Sequence, residues 1–99
     1  MFEIYLTSSA QQELDRLNAD RGKAGLAKQI KKTIGFLRVN PRHPSLRTHE
    51  YHSIPHPFSR DEKVFEAYAQ NQTPAAYRVF GCYGPSKKQI TVFAITPHP

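Results

Sequence analysis

The sequence predicts a single α+β domain spanning residues 1–99, with its elements in the order β-α-α-β-β-β. Three observations carry that prediction. Apolar and polar residues alternate at the N-terminus. Two consecutive segments then repeat apolar residues at helical spacing. The last third falls into apolar runs separated by turn residues. A chain of 99 residues makes one domain with a modest core, so a shallow surface site is expected in place of a deep cavity.

Phe2, Ile4 and Leu6 alternate with Glu3, Tyr5 and Thr7, the period-two pattern of a strand with one buried face. Ser8 and Ser9 then offer helix N-caps, with Gln12 at capping-box distance from Ser9. Ala10, Leu14 and Leu17 share one side of a helix over residues 9–18, and Asp20-Arg21-Gly22 breaks it. A second helix runs from Lys23 to Val39 with the stripe Leu26, Ala27, Ile30, Ile34 and Leu37. Asn40-Pro41 stops it, because a residue before proline disfavours the helical conformation. The two helices form a hairpin whose apolar stripes pack on a sheet.

Residues 41–63 are the least regular, with Pro41, Pro44, Pro55 and Pro57 among them, and Leu46–Tyr51 is suited to a short extended piece. Three strands follow, Val64–Gln70, Ala75–Tyr83 and Gln89–Thr96, joined by turn signals at Asn71–Pro74 and Gly84–Lys88. Strands joined by short turns make an antiparallel meander.

The formal charge is +6 and the pI about 9.7, and the placement of the charge says more than its sum. No acid occurs from Arg21 to His49, a stretch that contains Arg21, Lys23, Lys28, Lys31, Lys32, Arg38, Arg42 and Arg47. Such segregation is expected of a surface that holds a polyanion, and RNA is the polyanion expected here. No run is long and apolar enough for a membrane span, no secretory leader is apparent, and one cysteine, Cys82, permits no internal disulfide. These features suit a cytoplasmic protein without a membrane partner.

The strand-helix opening LTSSAQQELDRL, the second helix closing in F-L-x-x-N-P before P-S-L-R (Phe36–Arg47), the Tyr77-Arg78-Val79-Phe80 strand and the final ITVFAITPHP together resemble the RelE/ParE superfamily of bacterial toxin–antitoxin systems. The resemblance covers nearly the whole chain. It implies a twisted antiparallel sheet with the helical hairpin on one face and a shallow basic concavity on the other. It implies a toxin that acts as a metal-independent mRNA endoribonuclease on the ribosome, needs no cofactor, and has a cognate antitoxin. ParE-like members instead poison DNA gyrase without that chemistry. The lysine pair that RelE carries after its second helix is here one arginine with histidines, and no C-terminal helix follows the last strand. A histidine-using ribonuclease, a ParE-like binder and an inactive RNA-binding relative therefore all remain open.

Metal-free RNA cleavage needs a base for the 2′-hydroxyl, a cation for the phosphorane and an acid for the leaving 5′-oxygen. Arg78 is the first candidate, since a guanidinium among residues suited to burial requires an anion, either phosphate or an internal carboxylate such as Glu66. His98 is the second, near the end of the last strand, where the resemblance implies a proton-transferring side chain. Arg47, His49 and Glu50 form a third group. In an extended segment Arg47 and His49 share a face and Glu50 points away, so only one of the two candidate bases faces the cleft, and His49 is favoured. Lys28, Lys31, Lys32 and Arg38 are expected to bind nucleic acid together with Arg47 and Tyr77, and to form one anion cradle with Arg78. Tyr68, Tyr77 and Tyr83 are candidates to stack on bases, or to serve as core and cross-strand pairs. His52 and His56 have the spacing of helical metal ligands, but Pro55 and Pro57 exclude a helix there, so no metal site is expected. Cys82 suits a small core position.

Overall fold

The computed structural model describes residues 1–52, 62–70 and 76–97. The elements are β1 (Glu3–Leu6), α1 (Ser8–Ala19), α2 (Ala24–Val39), β2 (His49–Tyr51), β3 (Val64–Tyr68), β4 (Tyr77–Tyr83) and β5 (Gln89–Pro97). No helix among the described residues is long and apolar enough to cross a membrane.

Thr7, one residue before the expected serines, caps α1: its hydroxyl accepts a hydrogen bond from the Ala10 N–H at 3.3 Å. The Asp20 carboxylate accepts from the Gly22 N–H at 2.9 Å and turns the chain into α2. Ala10, Leu14 and Leu17 of α1 and Ala27, Ile30 and Leu37 of α2 bury against Phe65, Ala67, Val79, Ile90, Val92 and Ile95 of the sheet. This apolar layer is the core, and its burial is the main force that holds hairpin to sheet.

The five strands lie in the order β1-β5-β4-β3-β2. The meander β2-β3-β4-β5 is antiparallel throughout, but β1 runs parallel to β5, so the sheet is mixed and not wholly antiparallel. The helical hairpin returns the chain to the far side of the sheet, and β1 completes the edge that the meander leaves open beside β5. The short extended piece is a true fifth strand, β2, at the opposite edge.

Alternation assigns the faces. Phe65, Ala67, Val79 and Ile95 point to the helices, so Glu66, Tyr68, Arg78 and Phe80 point to the other side. A register shift at Phe80/Gly81 keeps the later apolar residues of β4 and β5 in phase with the core. Gly81 is required at that point. A Cβ there would lie 2.9 Å from the Thr91 carbonyl oxygen and 2.8 Å from the Phe65 ring.

Candidate functional site

The chain reaches the site through a rigid approach. After α2, Phe36 stacks on the His43 ring at 4.2 Å, and His43 Nδ1 accepts from the Ser45 N–H at 3.1 Å. A 3₁₀ turn, Pro44–Leu46, follows and buries Leu46. Arg47 closes that turn in the left-handed region, at φ 48°. The Thr48 hydroxyl then donates to the Pro41 carbonyl at 2.8 Å, and the chain enters β2.

Pairing of β2 with β3 sets His49 opposite Glu66. His49 Nε2 lies 2.8 Å from Glu66 Oε1, and His49 Nδ1 lies 2.8 Å from the Arg47 carbonyl oxygen. The exposure of the partners differs sharply: the His49 side chain is 46% exposed and that of Glu66 only 1%. A buried carboxylate is costly without partners, and here it faces positive or donating groups from two strands. Arg78 on β4 brings Nε to 3.8 Å from Glu66 Oε2, close enough for charge attraction and too far for a hydrogen bond.

Arg78 is itself buried, with its side chain 8% exposed. Its guanidinium stacks 3.7 Å from the centre of the Tyr68 ring, and Nη1 donates to the carbonyls of Gln70 at 2.5 Å and Tyr77 at 3.2 Å. Among the described residues Nε has no hydrogen-bond partner. Tyr68 is the centre of the group. Besides Arg78, it meets the edge of the His49 ring at 5.8 Å and the Arg47 guanidinium at 5.8 Å. The exposed members are Arg47 and His49; the internal ones are Glu66 and Arg78.

The fold thus gathers the expected Arg47, His49 and Arg78 with Glu66, the internal carboxylate considered for Arg78, and Tyr68, one of the tyrosines considered for stacking. Arg78 takes the internal carboxylate as its anion, the alternative to phosphate that its burial allowed. Glu50 pairs with Phe65 in register and points away from His49, as extended geometry requires. It lies 3.7 Å from Lys63 Nζ and 3.5 Å from His52 Nδ1, beside a cavity of about 440 Å³ lined in part by Arg42, Phe65 and Tyr83. Tyr77 departs from expectation. It packs against the core on the helix side, because adjacent strand residues face opposite ways and Arg78 takes the other face. His98 and His56 lie outside the described residues.

The cradle expected from Arg78 and α2 together does not form, since the sheet separates them. Lys28, Lys31, Lys32 and Arg38 are all exposed on the side of α2 opposite its buried Ala27, Ile30, Thr33 and Leu37. Lys31 donates to Asn18 at 2.8 Å. Of the four, Lys32 lines the shallow groove that ends at Tyr68.

No protein-family model and no curated protein matches the sequence. The structure does have a likeness, to the crystal structure of an archaeal RelE–RelB complex from Pyrococcus horikoshii OT3, with a TM-score of 0.65 over 97% of this chain and 93% of that one at 11% identity. The fold is RelE-like. On this RelE-like fold, the His49–Glu66–Arg78–Tyr68 group occupies the face of the sheet that the helices leave uncovered, next to the β2 edge. The role of Glu66 as partner of His49 is what the sequence signalled least directly; its signal was a lone carboxylate in the apolar strand VFEAY, a position that a polar cluster justifies.

Proposed function

We propose that this chain is the toxin of a toxin–antitoxin pair and cleaves messenger RNA on the ribosome without a metal, with His49 as its proton donor. The observation that carries this reading is the pairing of a half-exposed imidazole with a carboxylate that is almost wholly buried. Such a pair fixes a proton-transferring ring at a surface that a strand of RNA can reach. The likeness in fold to a RelE–RelB complex supports the toxin assignment and an antitoxin as partner.

In the proposed reaction the 2′-hydroxyl attacks the adjacent phosphorus and releases its proton to water. The bond from phosphorus to the 5′-oxygen breaks, and His49 protonates the departing oxygen. A 2′,3′-cyclic phosphate and a free 5′-hydroxyl result. Arg47, exposed beside His49, neutralises the phosphorane. Arg78 acts behind them as a buttress, through Tyr68 and Glu66.

One observation favours a second reading, a binder of the same fold that poisons DNA gyrase or only engages its antitoxin: the strongest fixed cation, Arg78, is turned inward and spent on Glu66. Cleavage of message on programmed ribosomes separates the two. The wild type is expected to cut. His49→Gln should lower the rate by about 10²–10⁴-fold, the usual range for loss of a proton-transfer group. Arg47→Gly should weaken cutting while the left-handed backbone that glycine readily adopts is kept. Equal cutting by wild type and His49→Gln excludes His49. Arrest of DNA synthesis with intact messages supports the binder.

A further inference from the structure

We propose that Glu66 is the positioning residue for His49, and that it determines which ring nitrogen carries the transferable proton. This rests on the reading of His49 as proton donor given above.

A carboxylate only accepts hydrogen bonds, so the nitrogen that faces it must carry a hydrogen. Glu66 Oε1 lies 2.8 Å from His49 Nε2. In the neutral ring Nε2 therefore holds the hydrogen and Nδ1 is bare. The opposite tautomer would set the Nε2 lone pair against the carboxylate lone pairs at the same distance. The Arg47 carbonyl on the other side also only accepts, but it is neutral, so of the two acceptors that compete for the one hydrogen of the neutral ring the charged carboxylate is the stronger. Nδ1 meets the carbonyl of Arg47, two residues back in the same strand approach and exposed to solvent. In the protonated ring that carbonyl accepts the second N–H and holds it until another acceptor replaces it.

The two nitrogens thus have separate duties. Nε2 is the anchor, tied to a group that is 1% exposed and lies on a central strand between β2 and β4. Nδ1 is the working atom. When the leaving 5′-oxygen approaches from the exposed side and shares the Nδ1–H with the Arg47 carbonyl, the proton passes from Nδ1 to that oxygen. The ring is left neutral with Nε2–H still on Glu66, the tautomer the carboxylate favours. No ring flip is needed between turnovers. Arg78 at 3.8 Å and the Tyr68 ring beneath it fix the carboxylate in turn. Among the described residues, the other charged groups near the ring are Arg47 on its own segment and, on the far face of β2, Glu50 with Lys63 and His52.

The decisive measurement is the ¹⁵N spectrum of the His49 ring in the full-length wild type, followed with pH by a long-range ¹H–¹⁵N correlation. The expected result is that the neutral ring shows a protonated Nε2 and a bare Nδ1. A neutral ring with the proton on Nδ1 overturns the proposal, and this outcome depends on no variant and no cleavage assay. Glu66→Gln sharpens the test where its thermal transition shows that it folds. The amide can donate as well as accept, so the two tautomers should mix, kcat for message cleavage should fall by about 100-fold or more, and KM should stay unchanged. An unchanged tautomer in that variant also overturns the proposal. If the wild type cuts no RNA, the ribonuclease reading fails by itself, while the ring spectrum still decides what Glu66 does.

Discussion

Two groups of cations in the molecule differ in every physical respect. Arg78 is inside, stacked on Tyr68 at 3.7 Å and bonded to two backbone carbonyls. Lys28, Lys31, Lys32 and Arg38 lie on α2 in water. A buried cation acts at short range in a medium of low polarisability, so its partners, and not a distant ligand, determine its worth. An exposed cation is worth little to stability and much to the attraction of a polyanion. The same charge therefore holds the fold in one place and, under the proposed function, would attract RNA in the other.

The largest expected effect tests the inner half of that contrast. Arg78→Ala removes one partner of a buried pair and leaves Glu66 with less to offset its charge. We expect a loss of about 3–5 kcal/mol in unfolding free energy by urea titration. A loss below about 1 kcal/mol would mean that Arg78 is not an internal strut, and would make it available to phosphate after all.

The comparison also explains what the sequence revealed and what it hid. Both helices, the meander and the core residues follow from periodicity, because each apolar stripe has only one face to bury. The pairing of β1 beside β5 was hidden, since nothing in Phe2–Leu6 reports which edge it joins or in which direction. The opposition of His49 and Glu50 was legible from strand alternation. The same rule, applied to Tyr77 beside Arg78, would have turned Tyr77 to the core. The single cradle was the error of reading charge along the chain without placing it on faces: α2 and the Arg78 side chain are separated by the sheet itself. Glu66 was legible as a partner for Arg78, but its pairing with His49 was not, because nothing in the sequence sets the register of β2 against β3.

A second buried group on β4, the strand of Arg78, is Cys82, which sharpens the contrast by being neutral. Burial pushes its thiol up from the ordinary 9.0 to about 11, and the charge of Glu62 adds to the shift. Between those values the folded chain keeps a proton that the unfolded chain has lost. Stability from this source is therefore complete below pH 9 and is lost as pH rises toward 11. Unfolding free energies measured across that window should fall more steeply for the wild type than for Cys82→Ala. Parallel curves would show that the thiol is hydrated. Arg78 keeps its charge in the interior because partners surround it; Cys82, buried opposite Thr91 and near the charge of Glu62, keeps its proton.

The smallest effect on stability, and the most direct test of the outer half, is the triple variant Lys28→Gln, Lys31→Gln, Lys32→Gln. None of these side chains is buried, and the helix contacts that hold α2 come from its opposite side. Each change should alter stability by no more than about 0.5 kcal/mol. Binding of single-stranded RNA should respond quite differently. Each phosphate neutralised by a lysine contributes about 0.7 to the slope of log affinity against log salt, so losing three should flatten that slope by about 2. Weaker binding at low salt with converging affinities at high salt would mark these lysines as phosphate contacts. An unchanged slope would mean that RNA lies only on the sheet face, with Arg47 and His49, and that the lysines serve some other contact. A change in slope confined to Lys32→Gln would be equally informative, because Lys32 lines the groove that leads to Tyr68. It would trace the strand of RNA from the helix rim down to the imidazole.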